Sequence, residues 1–245
     1  MFQAFLVAVV AWIQASFNPI SWSFFHQPMM AGLWVGLIYG KPIEGIMIGA
    51  AINVAYLGWI SAGGANPSDI FSAGLLGTAV ALQSGFTPEQ AVAIAMPLGI
   101  IGNYAWVTWM TVNSIWPSVQ DKRAEQGDVR GIILLQCIPG QVLLWILRSL
   151  PAFIVAYYGP SLVQTVMGAL PTWVMAGLNT VGKALPAIGI AMLIKYMARK
   201  ELIPFFALGF VVNAFSESPD LMYTALLGII LGLVYVSIKP TFESV

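Results

Sequence analysis

Leu226-Leu227-Gly228-Ile229-Ile230-Leu231-Gly232-Leu233-Val234 is an unbroken apolar run. A strand of a membrane barrel alternates lipid-facing apolar and lumen-facing polar residues over segments of about ten residues. This run does not alternate, so it reads as helix. It lies inside a longer stretch, 221–238, that contains no Asp, Glu, Lys or Arg. Similar charge-free stretches cover 1–40, 45–68, 90–120 and 131–147. An α-helix needs about 17–25 largely apolar residues to cross about 30 Å of hydrocarbon. The chain therefore reads as an all-α polytopic membrane protein.

Composition extends that reading to the whole chain. The 245 residues include 10 Lys+Arg and 10 Asp+Glu, or 8% charged, against 59% hydrophobic with 9 Trp and 13 Phe. Soluble domains run at roughly 25% charged, which for this length means about sixty charges. The few present cannot cover the surface of a water-soluble globule. A net charge of zero removes the basic patch that phosphate backbones require, so no nucleic-acid partner is expected. The single Cys137 excludes an intramolecular disulfide, and the lone His26 leaves no ligand set for structural zinc. No Lys or Arg precedes the first apolar run, so residues 1–16 are expected to stay as a first helix rather than act as a cleaved signal.

Apolar segments fall at about 2–16, 28–39, 43–60, 70–84, 90–117, 131–158, 161–181, 184–197, 202–215 and 221–238. Several are too short to span alone at about 1.5 Å per residue. The chain also holds 24 Gly and 15 Pro. Short, Gly/Pro-interrupted segments predict broken or re-entrant hairpins, which survive at membrane depth only where they line a cavity or are buried in protein. Six charges cluster between Asp121 and Arg130, and Lys195, Arg199 and Lys200 form a second basic group. Both groups are expected to be cytoplasmic, as topogenic charge. The whole chain, 1–245, reads as one membrane domain with a polar loop at about 120–130.

Gly32, Gly36 and Gly40 recur every four residues, as do Gly45 and Gly49. Small residues at this spacing share one helix face and let backbones approach closely. Asn53 continues the second series and puts an amide on that face, where it hydrogen-bonds either a neighbouring helix or a polyhydroxylated ligand. Ser61-Ala62-Gly63-Gly64-Ala65-Asn66-Pro67-Ser68-Asp69 interrupts two apolar stretches. Ser68 or Asp69 can cap the helix that begins at Ile70. The other reading is a polar hairpin in the membrane whose carboxylate and amide bind hydroxyls, and an ionisable group among so much apolar sequence favours it. Phe25-His26-Gln27-Pro28 is a third cluster: Pro28 holds Gln27 extended, and aromatic, imidazole and amide groups together suit a carbohydrate. Asn103, and Asn213 with Glu217, are further polar residues in apolar surroundings. No Gly-x-Ser-x-Gly elbow, His-Glu-x-x-His helix or Walker loop occurs. Binding and passage are better supported than bond-breaking; no catalytic residue, metal or cofactor is expected.

With those residues in view, the chain resembles the membrane EIIC subunit of the mannose/fructose/sorbose family of the bacterial phosphoenolpyruvate-dependent sugar phosphotransferase system (PTS). The resemblance runs from about Phe25 to Lys239. It is carried by Phe25-His26-Gln27-Pro28, Gly36-Leu37-Ile38-Tyr39-Gly40, Glu44-Gly45-Ile46-Met47-Ile48-Gly49-Ala50 and the stretch Leu57 to Asp69. Ala95-Met96-Pro97-Leu98, Asp121-Lys122-Arg123-Ala124, Leu185-Pro186-Ala187-Ile188-Gly189 and Ile203-Pro204-Phe205-Phe206-Ala207-Leu208-Gly209-Phe210 continue it. It implies a permease subunit in the bacterial cytoplasmic membrane with an elevator-type architecture. It also implies a membrane EIID partner, soluble EIIA and EIIB components, and assemblies of paired EIIC and EIID chains. The sugar would be phosphorylated by EIIB, not by this chain. His26, Gln27, Asn53, Asn66, Ser68, Asp69 and Asn103 are the expected substrate-binding residues. Many relatives carry Arg at position 27, Glu at 53 and Gln at 103, so a different hexose, ketose or amino sugar fits the departures. A carrier or channel independent of the phosphotransferase system is the competing reading. Replacing Asn66 or Asp69 by Ala is expected to abolish uptake and phosphorylation while membrane insertion persists, as a vesicle transport assay would register; normal uptake in both variants would refute the assignment.

Overall fold

The computed structural model describes residues 1–16, 25–59, 68–169, 171–197, 199, 202–216 and 221–242. Among them the regular structure is helical. In order come α1 (Phe2–Ser16), α2 (Pro28–Tyr39), α3 (Pro42–Ala55), α4 (Ile70–Ser84), α5 (Pro88–Asn113), α6 (Ile115–Glu125) and α7 (Val129–Leu144). A π-helical turn (Trp145–Ser149) leads into α8 (Leu150–Ala169), followed by α9 (Thr172–Met197), α10 (Ile203–Ala214) and α11 (Leu221–Phe242). The chain forms two compact units, Met1–Leu193 and Ile194–Val245, with the boundary inside α9.

In the first unit, local chemistry sets the helix ends. Pro28 and Pro42 open α2 and α3, where a missing N–H costs nothing. Gly40 and Gly85 close α2 and α4 in the left-handed conformation at φ 73° and 69°, open to glycine without strain. Thr87 and Gln90 form a capping box at the start of α5. The expected segments 28–39 and 70–84 coincide with α2 and α4.

α2 and α3 form a helical hairpin, and their glycines face each other. A Cβ on Gly45 would stand 2.7 Å from Gly36 Cα, and one on Gly49 would stand 3.0 Å from Gly32 Cα. The four-residue spacing is therefore a packing surface, as expected. Pro28 in turn rests on Gly74, where a Cβ would come within 2.5 Å of Pro28 Cα. This closeness lets α4 sit at the centre, against α2, α3, α5 and α8. Every residue from Ile70 to Leu82 is buried. A helix apolar on all sides belongs in a core. α2 and α3 have only 12 and 14 residues, or about 18–21 Å at 1.5 Å each, short of the hydrocarbon thickness. Two longer helical runs, Pro88–Glu125 and Val129–Leu162, are long and apolar enough to cross a membrane.

Three sequence expectations change, the first being the break expected between 181 and 184, where α9 continues from Thr172 to Met197. Residues 120–125, expected as polar loop, are the last turn of α6; the connection is a tight turn through Gly127 at φ 68°, with Asp128 accepting from Gly131 N to start α7. Lys122 and Arg123 favour a helix C-terminus, so a charged stretch need not be irregular. The segments 131–158 and 161–181 do not divide at Pro160, which lies inside α8. Proline removes one ladder bond, and packed membrane helices tolerate that loss.

In the second unit α10 lies against α11. Asn213 Nδ2 donates to Gly209 O and Thr224 Oγ1, each at 3.2 Å, and Phe205 meets Tyr235 edge-on at 5.4 Å. Asn213 thus has a helix-joining role; Glu217 lies outside the described residues.

Gly45→Ala is expected to lower stability by about 1–3 kcal/mol, because its methyl group meets the α2 backbone at Gly32 and Gly36. Gly40→Ala, with nothing within 4 Å, pays only for its positive φ, about 1 kcal/mol. Thermal unfolding in detergent should rank the two in that order.

Candidate functional site

Three helix ends converge in the first unit: the start of α2, the end of α3 and the start of α4. Helix ends leave backbone groups without intrahelical partners, and here both side-chain and main-chain groups of other segments meet some of them. Gln27 caps α2 in an extended conformation, φ −74° and ψ 136°, as the following Pro28 requires. Beyond α3, Trp59 Nε1 donates to Ser68 O at 2.9 Å, and Tyr56 OH shares a hydrogen bond with Ser68 Oγ at 3.0 Å. Asp69 N donates to Gly99 O of α5 at 2.9 Å.

A cavity of about 200 Å³ opens between these ends, walled by His26, Gln27, Asn53, Tyr56, Leu57, Trp59 and Ile70. Asn53 lies one turn beyond Gly49, so the glycine face of the hairpin runs directly into the cavity. Its Oδ1 is buried and has no hydrogen-bond partner among the described residues. The wall combines an imidazole, two amides, a phenol and an indole, with no formally charged group. His26 is buried; Gln14 of α1 pairs with its Nδ1, Phe71 lies 6.0 Å from its ring, and its Nε2 is 3.9 Å from Asp69 Oδ1.

Behind the wall lies a buried ion pair. Arg148 Nη2 is 2.9 Å from Asp69 Oδ2, with the two residues only 8% and 6% exposed. The contact lies off the N–H direction, so it acts as charge attraction and not as a directed hydrogen bond; Arg148 Nε has no hydrogen-bond partner among the described residues. Ser72 Oγ donates to the same carboxylate oxygen at 2.5 Å. The guanidinium carbon lies 5.5 Å from the ring centres of both Phe71 and Trp106, a cation–π contact with each. Arg148 sits in the π-helical turn Trp145–Ser149, a local widening often found at functional positions. Gly102 makes room for the pair: a Cβ there would fall 2.5 Å from Ser72 Oγ and 3.3 Å from Asp69 Oδ2.

Of the residues expected at the site, His26, Gln27 and Asn53 line the cavity, and Ser68 and Asp69 stand directly behind it. Asn103 is on α5, outside the cavity wall, and Asn66 lies outside the described residues. Asp69 occupies the N-cap position of α4 without making a side-chain cap bond; its carboxylate goes to Arg148 and Ser72 instead. Arg148, Tyr56, Trp59 and Gln14 were not anticipated. A signal existed for Arg148, the only charged residue between Arg130 and Lys183. No cluster of metal-ligating side chains occurs among the described residues.

The family model described as "PTS system sorbose-specific iic component" matches residues 1–234. The mannose-specific EIIC component of Escherichia coli K12 is 30% identical over 245 residues, covering 99% of this chain and 91% of that protein. Among solved structures, one described as a membrane protein superposes with a TM-score of 0.86 at 30% identity, covering 100% of this chain and 99% of that one. A second, from the cryo-EM complex of the mannose transporter ManYZ with microcin E492, gives a TM-score of 0.59 at 30% identity, covering 100% and 98%.

The ion pair revises one expectation. Removing Asp69 leaves the Arg148 charge buried without a counter-ion, so Asp69→Ala lowers stability as well as function. Asp69→Asn alone should cost about 3–5 kcal/mol, and adding Arg148→Gln should recover much of it. A double-mutant cycle read by thermal unfolding checks this; strictly additive losses would show that the two groups are uncoupled.

Proposed function

This chain belongs to the family of PTS sorbose-specific IIC components, membrane permease subunits of sugar transport, and we propose that the cavity between α2, α3 and α4 is where it holds its sugar. The observation that carries the proposal is the Asn53 Oδ1, buried and without a hydrogen-bond partner among the described residues, in a wall of amides and aromatic rings. A neutral polyhydroxylated solute supplies a hydroxyl donor to that oxygen, and ring faces of Tyr56 and Trp59 suit the C–H faces of a sugar. His26, Gln27 and Asn53 serve as direct ligands. Ser68, Asp69 and Asn66 complete the site from the start of α4 and the segment before it, and Asn103 contributes from α5. The substrate class is a hexose, ketose or amino sugar.

The chain works as one membrane domain, 1–245, beside a membrane EIID partner; the similarity to the ManYZ mannose transporter supports this pairing. A separate EIIB component phosphorylates the sugar with EIIA as its donor, so this chain positions and passes its substrate without a catalytic group of its own. EIIC–EIID pairs assemble further into oligomers. The short α2–α3 hairpin enters the bilayer without crossing it, the turn around Gly127 faces the cytoplasm, and the sugar-holding core moves elevator-fashion against a scaffold. Family membership sets aside a carrier independent of the phosphotransferase system.

Sugar-dependent thermal stabilisation of the co-purified EIIC–EIID pair tests the site, since a ligand that binds only the folded state raises the melting temperature. Asn53→Ala should weaken the apparent affinity by about tenfold, the worth of one neutral hydrogen bond of about 1–1.5 kcal/mol. An unaltered dose response would remove this cavity from consideration.

A further inference from the structure

We infer that Arg148 is a positioning residue for sugar binding: it touches no part of the cavity, yet it holds the 68–69 segment on which two walls of the cavity are hung. The inference rests on the reading of that cavity as the sugar site.

Stability does not account for the residue. A buried ion pair contributes less to folding than well-packed apolar side chains of the same volume, because desolvation offsets the attraction. Arg148 is moreover incompletely satisfied, with Nε and Nη2 both lacking a directed hydrogen bond among the described residues. What it does have is geometry. The rings of Phe71 and Trp106, each 5.5 Å away, hold the guanidinium by cation–π contact. The π-helical turn sets its backbone where the side chain reaches Asp69 Oδ2 at 2.9 Å. Ser72 Oγ holds the same oxygen at 2.5 Å, and Gly99 O holds the Asp69 backbone at 2.9 Å. Asp69 is thereby fixed at both its main chain and its carboxylate.

From that anchor three contacts lead to the wall. Ser68 O accepts from Trp59 Nε1 at 2.9 Å, Ser68 Oγ meets Tyr56 OH at 3.0 Å, and Asp69 Oδ1 faces His26 Nε2 at 3.9 Å. Tyr56, Trp59 and His26 all border the cavity. Residues 68 and 69 begin a helix whose next thirteen residues are buried, so they cannot shift by moving the helix. A change at Arg148 is absorbed by the cavity wall instead.

Lysine keeps the charge but not the planar, ring-stacked fork. In the co-purified EIIC–EIID pair, with rates normalised to folded complex, Arg148→Lys should raise the KM for phosphorylation-coupled uptake by about tenfold with turnover largely kept, as displacement of a binding group demands. Arg148→Gln should raise it further. Should that variant fail to assemble, Trp106→Leu loosens the guanidinium without removing a charge and should raise KM by about threefold. Lower thermal stability with a parental KM in both Arg148→Lys and Trp106→Leu would overturn the inference, leaving Arg148 a structural residue. The Asn53→Ala measurement separates the two readings. If Asn53→Ala weakens binding and the Arg148 and Trp106 variants do not, the cavity stands and the positioning role falls. If Asn53→Ala binds normally while Arg148→Lys raises KM, both fall, because Arg148 would then act on some other site.

Discussion

A helix in hydrocarbon satisfies all its backbone groups except those at its ends, and a bilayer offers no water to take their place. The first unit obeys this constraint by gathering three helix ends at one point, where backbone groups find both side-chain and main-chain partners. Trp59 answers the carbonyl of Ser68, Gly99 accepts from the amide of Asp69, and Gln27 turns the chain into α2. The polar cavity follows from the same arrangement. Ending a helix inside the unit demands polar groups, and polar groups held apart by rigid helices leave a space that a hydroxylated solute can occupy.

Two devices make room for this. The glycines of α2 and α3 bring the two helices of the hairpin into backbone contact, with Gly32 and Gly45 as the tightest approach. That compactness lets α4 lie buried on every side, so its first residues are held as firmly as its core. The Asp69–Arg148 pair then ties the start of α4 to the π-helical turn before α8. One end of the cavity is thus fixed by packing and the other by charge, ring contacts and hydrogen bonds.

Much of the fold was legible along the chain because it is written in punctuation. Pro28, Pro42, Gly40 and Gly85 act on their own backbone, so the bounds of α2 and α4 follow from the residues themselves. The series Gly45, Gly49, Asn53 runs along one helix face from the packing contact to the cavity wall, because helical periodicity is a local rule. The rest depended on packing. Pro160 does not end α8 and the charges around 120–125 do not end α6, because neighbouring helices and the helix dipole compensate for local preference. Asn103 looks in sequence like Asn53 but is carried by α5 and is not among the residues that line the cavity.

The sequence by itself determined that this is a helical membrane protein, and that the interruptions before α2 and α4 carry amides, a carboxylate and an imidazole. Hydrophobicity and backbone preference are properties of neighbouring residues, and short-range reading recovers them. Tertiary structure decided which of those polar groups meet. Asp69 was expected to cap its helix or bind a ligand, and only the fold shows it turned toward Arg148. Arg148 gave no sign of its partner, because an ion pair depends on distance in space, and that distance is set by how the helices stack.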